Sequence, residues 1–474
     1  MNFFGSSVSK RILIPFITCL LLSGLGRTPA RAFGQSAPSQ DNEEMQKKMD
    51  QLEKEMQDLK NQMDAAKQAA ALEKATQEAA AKEAAAKESV PRAAEEQKPE
   101  PKGTASIYGA VMLDSGYNFG QIDPNWYDVM RPTKLDAYKD EFAPSGTVFF
   151  SVRQTRFGIK TSSPTKYGDL KTWFEFELFG TGSNAGQTTF RLRQAYGELG
   201  HFGAGQTWSP FMDIDVFPNS LEYWGPNGMV FFRNIQFRWM PLKGRNALTI
   251  AAERPGASAD QSNYGDFIDL TGVRSDFNLP DLSVQGRFTR KWGYVQEAVM
   301  LRKIAWTDLN KTPTQDLSRQ LLGWGFNTTS NVNLGAKDVL RLEAVYGDGI
   351  ENYMNDATVD VAPQLEPGTA LGVKGVAVPV LGVVAFLDHN WTKKLSTAGG
   401  YSAVNMWNPN GQQANAFHHG DYALTNLLYN PIPSFMFGGE FQYGRRVNFS
   451  DGFSVNDYKV QFSFKYNYSK VFGY

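Results

Sequence analysis

The stretch Asp457-Tyr458-Lys459-Val460-Gln461-Phe462-Ser463-Phe464-Lys465-Tyr466-Asn467-Tyr468 alternates without a slip. Tyr458, Val460, Phe462, Phe464, Tyr466 and Tyr468 fall on one face, and Asp457, Lys459, Gln461, Ser463, Lys465 and Asn467 on the other. Successive side chains of a strand point to opposite faces, so this is a strand with one apolar and one wholly polar side. A soluble sandwich alternates in the same way, so one strand does not choose between water and lipid.

Working outward, the same period of two recurs in sixteen segments. They lie near 105–117, 148–161, 169–180, 188–199, 202–208, 229–240, 246–254, 281–290, 294–306, 320–333, 338–348, 381–392, 397–407, 417–429, 434–446 and 455–474. Many have the ~9–11 residues that a tilted strand needs to cross a bilayer. Short connections, such as Gly200-His201, Asn430–Pro433 and the turn around Gly335, alternate with long ones at 118–147, 209–228, 255–280 and 349–380. That rhythm predicts an outer-membrane barrel with tight periplasmic turns and long external loops. Sixteen crossings return both ends of residues 103–474 to the periplasm. Stretches 267–277 and 371–380 are candidates for an additional pair of strands. The chain ends on Phe472-Gly473-Tyr474, continuing the aromatic parity that outer-membrane barrels commonly end on.

Composition fits this reading. Among 474 residues, 13% are aromatic and 44 are glycine, while the mean hydropathy is only -0.40. A wall with alternate residues facing lipid keeps mean hydropathy low and aromatics high. The formal charge of -1 gives a nucleic-acid partner no electrostatic support.

Residues 1–32 read as a secretory signal peptide, with Lys10-Arg11 before an apolar run and Ala30-Arg31-Ala32 at the cleavage point. Its removal takes Lys10, Arg11, Arg27 and Arg31 and the single Cys19, leaving 44 basic and 49 acidic residues and no thiol. Residues 33–102 read as a periplasmic α-helical coiled coil with a proline-containing linker. Met45, Met49, Leu52, Met56, Leu59 and Met63 follow the alternating four-three spacing of a seam. The expected fold is therefore an all-β transmembrane barrel of about 16 antiparallel strands preceded by a coiled coil, with residues 103–474 forming the barrel.

Charges in such a wall should point into the lumen. Arg153, Arg156, Arg191, Arg193, Arg238 and Arg287 are the candidates for a pore-lining, anion-selecting ladder, because guanidinium forks match carboxylates and phosphates. Arg153 and Arg156 have opposite parity, so both face inward only if a bulge separates them. A competing reading has such arginines bracing the barrel against Glu175, Glu177, Glu253, Glu343 and Glu440. The apolar, aromatic segment 209–224 suits a loop folded into the pore, with Asp213, Asp215, Glu222 and Tyr223 as constriction-loop residues. Asp213 and Asp215 could alternatively bind calcium or bond their own loop backbone. His201, His389, His418 and His419 enter no catalytic or metal-binding motif, and no P-loop is present. No enzymatic activity, cofactor or metal is expected.

Several short motifs carry a family resemblance: Gly103-Thr104-Ala105-Ser106-Ile107-Tyr108-Gly109, Arg153-Gln154-Thr155-Arg156-Phe157-Gly158, Phe190–Gly197, Gly205-Gln206-Thr207-Trp208-Ser209 and Tyr346-Gly347-Asp348-Gly349-Ile350. With the signal peptide and heptads, the mature chain resembles the DcaP-like porins of Gram-negative outer membranes. The resemblance implies a sixteen-stranded homotrimer in outer-membrane lipid, a periplasmic coiled-coil extension and passage of small, often anionic, organic solutes. Phosphate-selective porins share the coiled coil and barrel and are the nearest rival, although nothing here resembles a dense lysine staircase. A third reading is an envelope-spacing tether whose coiled coil contacts peptidoglycan.

Overall fold

A computed structural model describes residues 103–261, 270–313, 316–368 and 372–474. The expected signal peptide, coiled coil and linker over 1–102 lie outside the described residues. The first half of the wall runs β1 (Thr104–Asn118), β2 (Thr147–Ser151), β3 (Arg156–Thr165), β4 (Gly168–Phe179), β5 (Thr188–Leu199), β6 (Phe202–Trp208), β7 (Arg233–Leu242) and β8 (Ala247–Glu253). It continues through β9 (Val273–Ser275), β10 (Asp281–Arg290), β11 (Gly293–Asp308), β12 (Arg319–Asn333) and β13 (Asp338–Asp348). Then follow β14 (Val361–Leu365), β15 (Val373–Ala377), β16 (Pro379–Asn390), β17 (Leu395–Met406), β18 (Phe417–Ile432), β19 (Phe435–Asn448) and β20 (Ser454–Gly473).

These make a closed antiparallel barrel of sixteen walls. Strand β1 pairs with β20 from Thr104↔Gly473 to Asn118↔Lys459, which abolishes the sheet edge. Two walls are interrupted. Both β2 and β3 pair with β1, and both β9 and β10 pair with β11, so each couple is one crossing. Strands β14 and β15 pair only with each other and add no crossing. The extra pair anticipated around 267–277 and 371–380 is thus resolved, for its described residues, into β9 and half of this external hairpin.

Burial separates the two readings that alternation left open. On β20 the polar residues are the hidden ones: Lys459 is 0% exposed and Phe462 57%. A soluble sandwich would reverse this order. Outward aromatics and inward charges are the pattern of a barrel with lipid outside. Among the described residues no helix is long and apolar enough to cross a membrane.

Three strand boundaries differ from expectation. Segment 148–161 breaks at Val152–Thr155, where Thr155 N donates to Val152 O in a turn. The break restores inward direction to both Arg153 and Arg156. The wall expected from 229 starts at Arg233, because Val230 bridges Met354 and Phe231 N donates to Tyr353 O. Strand β18 runs through Asn430-Pro431 with a register irregularity and turns at Pro433-Ser434, since Pro431 lacks the amide the ladder would use.

Candidate functional site

The segment between β6 and β7 folds into the barrel, and its own backbone explains why. A loop buried among side chains must find partners for its amides and carbonyls. Here the inner wall supplies them. Glu440 accepts Leu221 N at 2.7 Å and Glu222 N at 3.1 Å, and Glu343 accepts Val230 N at 2.9 Å. Asn327 Nδ2 donates to Phe211 O at 2.9 Å, and Ser402 Oγ accepts Gly228 N at 2.9 Å. At Gly228 the loop touches the wall backbone itself: a Cβ there would stand 2.1 Å from Ala403 O. Phe211, Met212 and Val230 pack with Met300, Val345 and Val404 in one apolar cluster inside the barrel.

The acidic residues of this segment divide by burial. Asp213 is buried and accepts from Arg287 at 2.7 Å, Tyr294 OH at 2.7 Å and Thr329 Oγ1 at 2.7 Å. Asp215 is exposed and meets the other nitrogen of Arg287 at 2.5 Å. Asp213 also caps the turn Ile214–Val216 through Asp215 N, at 3.1 Å, so the expected self-bonding of the loop is present beside its wall contacts. Glu222 is buried and accepts Met130 N at 3.1 Å. Burial pushes the Glu222 carboxyl above the usual carboxylate range, opposed by the Lys459 ammonium and reinforced by Glu440. Tyr223 stacks on Phe179 with centroids 4.0 Å apart, and its hydroxyl donates to Glu177.

Facing Tyr223, strands β3, β4, β5 and β7 assemble four arginines around two glutamates. Arg193 is buried between Glu175 at 2.7 Å and Glu177 at 2.5 Å. Arg156 reaches Glu177 at 3.5 Å, Arg191 reaches Glu177 at 3.5 Å, and Arg233 reaches Glu177 at 3.8 Å. Four cations over two carboxylates leave two positive charges uncompensated within the cluster. Arg156 and Arg191 keep 34% and 30% of their side chains exposed, so the surplus meets lumen water.

The remaining sequence-chosen arginines fall elsewhere. Arg153 is 0% exposed, ion-paired to Asp128 and laid over Phe179 at 4.1 Å, so it pins the first external loop and does not touch the lumen water. Its break in the strand is the reason. Arg238 lies half-buried beside Gln236 and Trp208 O, with neutral acceptors only among the described residues. The bracing alternative is met by Glu175 and Glu177, whereas Glu343 and Glu440 hold the inward loop and Glu253 accepts from Ser209 and Ser283. His418 contacts Asn408 and His419 contacts Asp421.

Sequence reading passed over Arg131 and did not single out Arg233 for selectivity. Arg131 lies between Trp126 and Trp224, 4.2 and 4.0 Å from their centroids, and bonds Asp356. Both arginines, with Arg191 and Tyr223, line a cavity of about 420 Å³ beside the inward loop. Arg131 sits in a non-repeating loop, where periodicity carries no signal.

Closed sixteen-walled barrel, inward third loop and charged lumen together define an outer-membrane channel of the porin class. The chain belongs to the DcaP outer membrane protein family, whose model matches residues 32–468. The crystal structure of the outer membrane channel DcaP of Acinetobacter baumannii is similar, with 19% identity, a TM-score of 0.64, and coverage of 77% of this chain and 97% of that one. An anion-selective porin from Comamonas acidovorans is similar at 10% identity and a TM-score of 0.49, covering 77% of this chain and 100% of that one. OmpT of Vibrio cholerae is similar at 12% identity and a TM-score of 0.46, covering 79% and 100%. Among curated proteins there is no match.

Proposed function

We propose that this protein is a passive diffusion channel for small hydrophilic solutes, with a bias toward carboxylate-bearing anions. The uncompensated charge of the Arg156–Arg191–Arg193–Arg233 cluster over Glu175 and Glu177 carries this reading. A low-dielectric wall focuses such a charge into the pore, and anions are enriched where it meets water. Arg156 and Arg191 are the solute-facing members. Arg193 fixes the two glutamates among the other three guanidinium groups. The inward loop sets the width, with Asp215 as its solvent-facing group, Tyr223 lining the cavity beside the arginines, and Asp213 and Glu222 as its fixings. Assembly into a homotrimer through the membrane-embedded wall belongs to the same reading and rests on the family resemblance. Reversal potentials in planar bilayers test the bias, and liposome swelling with mono- and dicarboxylates against neutral sugars tests the solute class. A cation-selective reversal potential would overturn the anionic part.

A further inference from the structure

The barrel's near balance of charge conceals an axial asymmetry. The long loops are acid-rich: Glu351, Asp356, Asp360 and Glu366 all lie in one of them. Several of the short turns are basic. Four consecutive turns, after β7, β10, β12 and β16, carry Arg245, Arg290, Lys291, Lys337, Lys393 and Lys394, every one exposed. None of these six makes an ion pair with a described carboxylate.

The four turns form one continuous arc. Thr289 N donates to Asn246 Oδ1 at 3.0 Å, Asn333 N to Trp292 O at 2.7 Å, and Asn390 N to Lys337 O at 2.9 Å, stitching each turn to the next. Two exposed tryptophans stand in the same arc, Trp292 beside Lys291 and Trp391 two residues before Lys393, and Trp391 continues the exposed parity of β16. His389 packs on Trp391 with centroids 4.3 Å apart and bonds Asp338, the acid nearest to Lys337 in sequence.

Outward tryptophans at the end of a membrane strand sit at headgroup level. The cations on the same turns are therefore held at the depth of phosphate groups, with no described carboxylate neutralising them. A cell-wall contact would call for the charges without the tryptophans. We propose that this arc is a docking surface for anionic glycerophospholipid of the periplasmic leaflet, its tryptophans in the acyl–headgroup boundary and its cations on the phosphates.

The test is native mass spectrometry of the full chain with phosphatidylglycerol and phosphatidylethanolamine offered together. The wild type is expected to retain phosphatidylglycerol preferentially, and rising ionic strength to erode that preference. The variant K291Q/K337Q/K393Q/K394Q should lose about fivefold per charge at the low-salt limit and at least about tenfold in all. K166Q, on the turn between β3 and β4 outside the arc, should retain the preference, and single-channel conductance of both variants reports folding. Equal retention of the two lipids by the wild type, or an unchanged preference in the fourfold variant, would overturn the proposal. So would capture of soluble peptidoglycan fragments by the arc without any lipid preference. If the fourfold variant does not conduct, R245Q/R290Q and the salt series on the wild type decide between the same outcomes.

Discussion

Arg287, Arg302 and Arg341 each meet aspartates that match or exceed their charge, whereas Arg156, Arg191, Arg193 and Arg233 crowd around Glu175 and Glu177 and outnumber them. The first group lies on β10, β11 and β13, and its partners come from the inward loop, the acid-rich long loop and neighbouring strands. Its arginines work as staples. The second lies on β3, β5 and β7 across from Tyr223, and in the proposed function its excess charge acts on solutes. One residue type inside one barrel thus has two uses, separated by how many carboxylates stand nearby.

The largest expected effect tests the staples. Arg302 is buried between Asp281 and Asp360, each at 3.0 Å, and Arg302→Ala leaves both carboxylates buried without their partner. A loss of about 3–5 kcal/mol is expected, read from urea unfolding of the barrel, with selectivity unchanged in those molecules that fold. A shifted reversal potential with intact stability would mean that Arg302 belongs to the other group.

Next in size is the loop seat. Gly228→Ala forces a methyl against Ala403 O, and overpacking of this kind costs about 1–3 kcal/mol. Lifting the loop should widen the pore, so conductance is expected to rise as thermal stability falls. Unaltered conductance would show that Gly228 lies away from the narrowing.

The surplus itself is expected to be worth about 1 kcal/mol in a wet pore, or roughly fivefold in the anion-to-cation permeability ratio. Arg156→Ala with Arg191→Ala should remove most of that ratio in bilayer recordings. Arg153→Ala, which touches no lumen water, should leave the ratio in place while weakening the first loop.

The smallest effect is a pH response outside the wall. Asp136 lies buried in the first external loop, and desolvation, aided by Glu141 and Asp140, raises its carboxyl to about 6 from 3.8. A raised folded-state value means that protonation favours the packed loop. The contribution is full below about pH 4 and is lost as pH rises through about 6. Asp136→Asn should flatten that interval in a melting-temperature profile, and an unchanged slope there would assign it to another group.

The two faces of the last strand, Phe462 and Phe464 on one side and Gln461 and Ser463 on the other, were readable in advance because a period of two is local. The pairing of Arg287 with Asp213 was not, since 74 positions separate them and only closure of the barrel brings them together. Arg153 and Arg156 show the boundary between the two kinds of knowledge. Their odd spacing announced a conflict with the strand, but the buried Asp128 and Phe179 that resolve it belong to other elements.

By itself, the sequence determined that strands with one apolar face recur along the last 372 residues, that long and short connections alternate, and that guanidinium groups fall on the polar face. These follow from backbone geometry repeating every two residues. Which face meets lipid, which arginines are neutralised and how the third loop is held were decided only by the tertiary structure. Each depends on residues far apart in the chain, whose burial and charge balance exist only after the barrel has closed.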